Sequence, residues 1–279
     1  MCIRDSNSGQ PSAKEVFDTT PYTILVVDDN PDMTDFLKRT FEGYFKRIII
    51  AGDGVEALQL VRSHVPDIIV SDVMMPRMNG YKLCKTIKED INISHIPVIL
   101  LTARDDRQSQ ISGYKNGADG YLSKPFEVEM LMELIRNRLK NREYTKKRYL
   151  NAGLIPTPEE STISLTDETF LIKLNSIIQE NIENSNLGIQ FICQEVGLGR
   201  SSLYNKLKAL TGMGANEYIS KLRIEKAITL ISGTDMPFSE IAEKTGFTTP
   251  SYFSTAFKQY TGETPSQYKE RKKKGLAGK

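Results

Sequence analysis

Four short apolar runs in the first half of this chain each stop at a residue that carries chemistry. Residues 23–27 precede Asp28 and Asp29, residues 68–71 precede Asp72, residues 98–101 precede Thr102, and residues 120–123 precede Lys124. Short runs rich in Val and Ile, bounded by Asp, Pro and Gly, read as buried strands of a parallel sheet. In an open α/β sheet, ligands bind beyond the carboxyl ends of the strands. The five side chains are therefore expected on one edge, where three carboxylates, a hydroxyl and an ammonium suit phosphoryl transfer.

The charges say what else such a site needs. Two carboxylates about 4 Å apart repel by about 4 kcal/mol at an effective dielectric of about 20. Three of them call for a cation. Oxygen donors that leave room for water suit Mg²⁺, which takes one or two carboxylates and phosphate oxygens. One carboxylate can then attack a phosphoryl group and become an aspartyl phosphate. The gain in charge and acceptors is enough to reorder neighbouring loops. Singly, each residue has a plainer reading. Asp28 and Asp29 suit a turn, Asn30-Pro31 suits a helix N-cap with Pro at N1, Asp72 suits a loop and Lys124 a solvated surface. All of them together, each at a strand end, favour the site.

Composition narrows the class. Cys2, Cys84 and Cys193 have neither disulfide nor metal-ligand spacing, which fits a reducing, cytoplasmic setting, and Cys84 and Cys193 sit in helical patterns as core fillers. No apolar stretch approaches the roughly 18 residues of a membrane span, so no membrane contact is expected. His64 and His95 both fall in the first half, which argues against a metal or catalytic histidine site. Residues 21–140 carry a net charge of −1 and residues 164–279 one of +3. Any nucleic-acid work in the second half must therefore come from a local patch. The basic run from Arg271 to Lys274 reads as a solvated end. Gly52 and Gly54 flank Asp53 without any phosphate-loop pattern, so no nucleotide site is expected.

The chain divides into four parts. Residues 1–20 lack periodicity and read as a linker or a non-native segment; their opening looks like translated adapter sequence and suggests a truncated gene product. Strands and helices alternate over 21–140. Residues 141–163 read as a helix extension and a linker with Gly153, Pro156 and Pro158. Residues 164–279 are helical in pattern throughout. They hold two copies of one unit, over 189–208 and 238–258, each with a short helix, a turn at Gly197 or Gly246 and a second amphipathic helix. That is a helix-turn-helix, whose second helix can enter a major groove. Gly199 and Thr249 are candidate N-caps, and Pro250 fits N1. Residues 216–231 read as one helix tying the units together. Leu203, Leu207, Leu210, Phe253 and Phe257 have core spacing.

Two resemblances follow from these residues. Val27-Asp28-Asp29-Asn30, Ser71-Asp72-Val73-Met74-Met75-Pro76-Arg77-Met78-Asn79-Gly80, Leu101-Thr102-Ala103 and Lys124-Pro125-Phe126 resemble the receiver domain of two-component response regulators. The resemblance implies a doubly wound, five-stranded parallel sheet of flavodoxin-like type. It implies Asp72 as phosphoacceptor and Mg²⁺ held by Asp28, Asp29, Asp72 and the Met74 carbonyl. Thr102 and Lys124 would contact the phosphoryl group, and Thr102 and Tyr121 would be the switch residues. A cis Lys124-Pro125 bond is expected as well. Leu203 to Gly212, Ile241 to Phe247, Ser251 to Ser254, Phe257-Lys258 and Thr264 to Tyr268 resemble the AraC/XylS DNA-binding domains. That resemblance implies DNA contacts from Arg200, Ser201, Tyr204, Asn205 and Lys208 on one helix. The other would offer Pro250, Ser251, Ser254, Thr255 and Lys258. Many relatives carry Arg near positions 205 and 255, where this chain has Asn and Thr, so its operator preference is open.

The expectation is a phosphorylation-dependent transcription regulator and not an enzyme. Its partners would be double-stranded DNA, a phosphodonor histidine kinase in cis or in trans, and a second copy once phosphorylated. Residues 89–102 also resemble hybrid regulators of the Bacteroidetes type. The alternative is therefore the C-terminal part of a hybrid sensor kinase whose kinase lies upstream.

Overall fold

The computed structural model describes residues 16–103, 117–151 and 164–276. Calls on Cys2, on most of 1–20 and on the linker after residue 151 lie outside them. Five strands, β1 (Thr23–Val27), β2 (Arg47–Ala51), β3 (Ile68–Asp72), β4 (Val98–Ala103) and β5 (Gly120–Lys124), form one parallel sheet in the order β2-β1-β3-β4-β5. The strand order reverses between β1 and β3, which opens a crevice at their carboxyl ends.

The apolar runs make strands because every second residue finds a core on each face. Leu25, Val27, Ile69 and Leu100 pack with Val61, Leu83 and Ile87. Ile24, Val26, Ile68, Val70 and Ile99 pack with Leu37, Phe41, Leu131 and Ile135 on the other side. Those partners lie on α1 (Pro31–Phe41), α2 (Gly54–His64), α3 (Gly80–Glu89) and α4 (Val128–Asn151). Asn30 caps α1 by accepting from the Asp32 N–H, with Pro31 at N1 as expected. Asp53 and Asn79 cap α2 and α3 in the same way.

Three strands run further than the apolar runs suggest. Asp72, Thr102 and Lys124 are themselves paired, opposite or beside Leu101, Ser123 and Ala103. Backbone pairing does not depend on side-chain polarity, so the ladder continues through them. The catalytically suited residues are thereby fixed on strands instead of loops.

The rest is helical: α5 (Leu165–Glu180), α6 (Ile189–Val196), α7 (Arg200–Thr211), α8 (Ala215–Gly233), α9 (Phe238–Lys244), α10 (Pro250–Thr261) and α11 (Pro265–Leu276). The α6–α7 and α9–α10 units each turn at a glycine of positive φ, 74° at Gly197 and 72° at Gly246. Gly199 and Thr249 stand at the N-caps of α7 and α10, and Thr249 accepts from the Tyr252 N–H. Helix α8 serves both units. Ile219 and Leu222 join the first core, while Ile224, Ala227 and Ile231 join the second with Phe253 and Phe257. The basic run 271–274 is exposed, as expected of a solvated end, but it is part of α11. Tyr268 is buried against Phe257, and Arg271 pairs with Glu263 at 2.7 Å, which holds the helix in place.

Helix α4 reaches beyond its own sheet. Its 24 residues carry Tyr149 into the core of the first helix-turn-helix unit. The α4–α7 contact is the most extensive packing between helices.

Candidate functional site

The carboxyl ends of β1, β3 and β5 bring Asp28, Asp72 and Lys124 together. Lys124 Nζ lies 2.5 Å from Asp72 Oδ1 and 2.9 Å from Asp28 Oδ2. Both carboxylates are buried. The second oxygen of each is held by backbone: Asp28 Oδ1 accepts from the Asn30 N–H at 2.9 Å, and Asp72 Oδ2 from the Met74 N–H at 2.8 Å. Burial works to lower the pKa of the Lys124 ammonium, but hydrogen bonds and charge attraction from Asp72 and Asp28 outweigh it and hold the pKa above its ordinary value. The Lys124-Pro125 bond is cis, as expected.

Thr102 lies on the neighbouring strand and is almost wholly buried, yet among the described residues its hydroxyl has no hydrogen-bond partner. A buried hydroxyl without a partner costs roughly 1–3 kcal/mol. Asp29, the residue after Asp28, is by contrast exposed, and Met74 is largely exposed. Tyr121 is half-buried, one strand residue before Leu122. Among the described residues, no three His, Cys, Asp or Glu side chains are grouped as they would be around one ion. The donors nonetheless fit Mg²⁺. The cluster offers hard oxygens from two buried carboxylates that share one ammonium, and Mg²⁺ keeps several waters in place of protein ligands.

The loop after Asp72 is fastened in a way that sequence reading did not foresee. Arg77 takes a positive φ of 59° and is ion-paired with the buried Asp53. The Gly54 N–H donates to the Met78 carbonyl at 3.2 Å. Gly80 begins α3 so close to β3 that a Cβ there would sit 2.2 Å from the Asp72 carbonyl oxygen. The glycines around Asp53 point to no phosphate loop, and its role is that of an N-cap and an ion-pair partner. Its place two residues after β2, just before a helical pattern, was a usable N-cap signal.

In the helical half, Arg200, Ser201, Tyr204, Asn205 and Lys208 are exposed on α7, as are Pro250, Ser251, Thr255 and Lys258 on α10, with Ser254 half-buried. The five leucines and phenylalanines expected in the core are buried. Cys84 and Cys193 are buried too, and burial pushes the Cys84 thiol up to about 12. No helix of the described residues is long and apolar enough to cross a membrane.

Comparisons with known proteins agree with this architecture. Residues 24–136 match the response regulator receiver domain, and residues 192–271 match a helix-turn-helix domain. Histidine kinase P4 of Formosa agariphila is 41% identical over 249 residues, 89% of this chain and 18% of that protein. The DNA-binding response regulator MtrA of Mycolicibacterium smegmatis is 36% identical over 136 residues, 49% of this chain and 58% of that protein. Response regulator MprA of a Mycobacterium species is 36% identical over 165 residues, 54% of this chain and 70% of that protein. The chain thus spans less than two thirds of the first two relatives' length, 18% of one and 58% of the other. Built from a receiver domain and a helix-turn-helix domain, the chain belongs to the response regulators.

Proposed function

We propose that the chain is a phosphorylation-dependent, DNA-binding transcription regulator whose phosphoacceptor is Asp72. The observation that carries this reading is the buried Asp72 carboxylate, 2.5 Å from the Lys124 ammonium, with the unpartnered Thr102 hydroxyl one strand away. A carboxylate oxygen of Asp72 attacks the phosphorus of the donor. The P–N bond of a phosphohistidine, or the P–O bond of acetyl phosphate, breaks, and the leaving group departs with the electron pair. Lys124 then meets a phosphoryl oxygen, and Thr102 donates its free hydroxyl to another. Bound Mg²⁺ would neutralise charge on the transferring oxygens. Asp28, Asp29, Asp72 and the Met74 carbonyl are the residues proposed to hold it. Tyr121 and Thr102 would pass the change onward. The receiver takes up and loses its own phosphoryl group and needs no other catalysis. The proposed division is a receiver over 21–140, a helix extension and linker over 141–163 and a DNA-binding domain over 164–279, in a cytoplasmic protein that pairs when phosphorylated.

The exposed faces of α7 and α10 are the proposed DNA contacts, tied by α8 for successive major grooves on one side of the duplex, about 34 Å apart. Affinity for a selected duplex should rise when the full chain is given Mg²⁺ and acetyl phosphate. Asp72→Asn should not respond. A duplex affinity unchanged by phosphorylation in the wild type would defeat this reading.

A second reading is favoured by the match to a histidine kinase that aligns with 89% of this chain. In it, the chain corresponds to part of a hybrid sensor kinase, and the phosphodonor histidine acts in cis.

A further inference from the structure

A cavity of about 90 Å³ lies where α3, the segment before β4, α4 and the first turn of α5 meet. Three basic side chains line it, Lys88, Arg138 and Arg142, with the acids Asp119 and Asp167 and the imidazole of His95. Both acids are already matched. Asp119 pairs with Lys88 at 2.7 Å, and Asp167 is ion-paired with the buried Lys206. Arg142 is turned partly to Asp67, whose carbonyl accepts from its Nη1 at 3.0 Å. Among the lining groups, the charge left over is that of Arg138.

The donors here are also in surplus. His95 is only 8% exposed, and among the described residues its Nδ1 has no hydrogen-bond partner. The buried Nε–H groups of Arg138 and Arg142 have none either. These two arginines stand four residues apart on α4, so they share a face of that helix. A buried donor without an acceptor is costly, and three at one cavity call for an acceptor from outside the chain. Burial first, then the cations Arg142, Lys206, Lys88 and Lys146, keep the His95 ring neutral, and a neutral ring can donate through Nδ1–H. The same cations make the field at this ring positive.

Size and shape narrow the ligand. A buried water needs about 10–15 Å³. The cavity therefore has room for several waters or for one small oxyanion, with little to spare. Guanidinium groups present planar sets of donors that match the oxygens of a carboxylate or phosphate.

We propose that this cavity is a binding site for a small tetrahedral oxyanion, free inorganic phosphate, held by Arg138, Arg142 and His95. The ion supplies the acceptors that the three donors lack and balances the charge of Arg138. The cavity lies toward the amino end of β4, whereas Asp72 and Lys124 stand at the carboxyl ends of β3 and β5. The site is therefore separate from the phosphoacceptor cluster and takes no part in phosphoryl transfer.

The test follows the imidazole resonances of the full chain by NMR as inorganic phosphate is added. Ionic strength and a mildly alkaline pH are held fixed, and Mg²⁺ is left out. The chain has two histidines, and the exposed His64 is the internal control. The His95 resonances should shift saturably while those of His64 stay in place, a result that needs no variant. Arg138→Gln, at a half-buried position, should weaken the response about tenfold or more, as loss of a charge-assisted hydrogen bond does. Glycerol 3-phosphate carries the same oxyanion on a larger body and should shift His95 far less. No shift of His95, a shift matched by chloride, or a response undiminished in folded Arg138→Gln would overturn the site and leave a cavity filled by water. Equal binding of glycerol 3-phosphate would overturn the assignment to free phosphate.

Discussion

Gly80 begins its helix against the Asp72 carbonyl with no room for a side chain: a Cβ at position 80 would sit 2.2 Å from that oxygen. The backbone that carries the candidate phosphoacceptor is thus braced directly by α3. Gly80→Ala must push the two apart. We expect a loss of about 1–3 kcal/mol from overpacking, together with slower phosphoryl uptake. Urea unfolding and labelling of the same preparation would check both. An unchanged unfolding midpoint would contradict the close approach.

Lys124 sets an ammonium between two buried carboxylates, Asp28 and Asp72. Lys124→Met leaves Asp28 and Asp72 facing each other. Because the lysine is about a quarter exposed, the cost should fall below the roughly 3–5 kcal/mol of breaking a fully buried pair. Added Mg²⁺ should raise the melting temperature of this variant more than that of wild type, since the cation replaces the lost charge. A thermal melt with and without Mg²⁺ reads this out.

His95 is buried at the seam between the two halves, in a cavity also lined by Lys88, Asp119, Arg138, Arg142 and Asp167. Burial, and then the charges of Arg142, Lys206, Lys88 and Lys146, hold its imidazole well below 6.5. The unfolded chain takes up a proton near 6.5 and the folded one does not. Its contribution is therefore complete above that pH and is lost as pH falls below it, by up to about 1.4 kcal/mol per pH unit. Urea unfolding at pH 7.5 and 5.5 should show this slope in wild type and a shallower one in His95→Gln. The same change at exposed His64 is the control.

On α7, Lys208→Ala should weaken binding to every duplex and reduce the log–log salt slope by about 0.9, as loss of one phosphate contact does. Asn205→Ala should instead relax preference at one base, by about 1–3 kcal/mol. Salt titrations with selected and random duplexes separate the two. Identical behaviour of the variants would remove the distinction between backbone contact and base readout.

Much of this was legible in the chain, for reasons that can be named. The runs before Asp28, Asp72, Thr102 and Lys124 announce strands because both faces of the sheet are buried. The two helix-turn-helix units show through Gly197, Gly246, Thr249 and Pro250, whose backbone demands are local. What stayed hidden depends on distant contacts. Ser94 meets Asp167 across 73 positions and Lys206 across 112, and such a pairing leaves no periodic trace. Lys206 carries no signal in the chain that sets it apart from exposed Lys208, and only the fold shows it buried. The reach of α4 through Asn151 was partly visible in its helical pattern, but not its landing on the first helix-turn-helix core.

The central claim is that Asp72 accepts the phosphoryl group. The full chain, incubated with Mg²⁺ and acetyl phosphate, should gain one acid-labile phosphoryl group, seen as a single mass increment and mapped to Asp72 after borohydride reduction. Asp72→Asn should abolish it, and Asp29→Ala should remove most of it along with its dependence on Mg²⁺. A phosphoryl group that maps to a Ser, Thr or His, or full labelling of Asp72→Asn, would contradict the account.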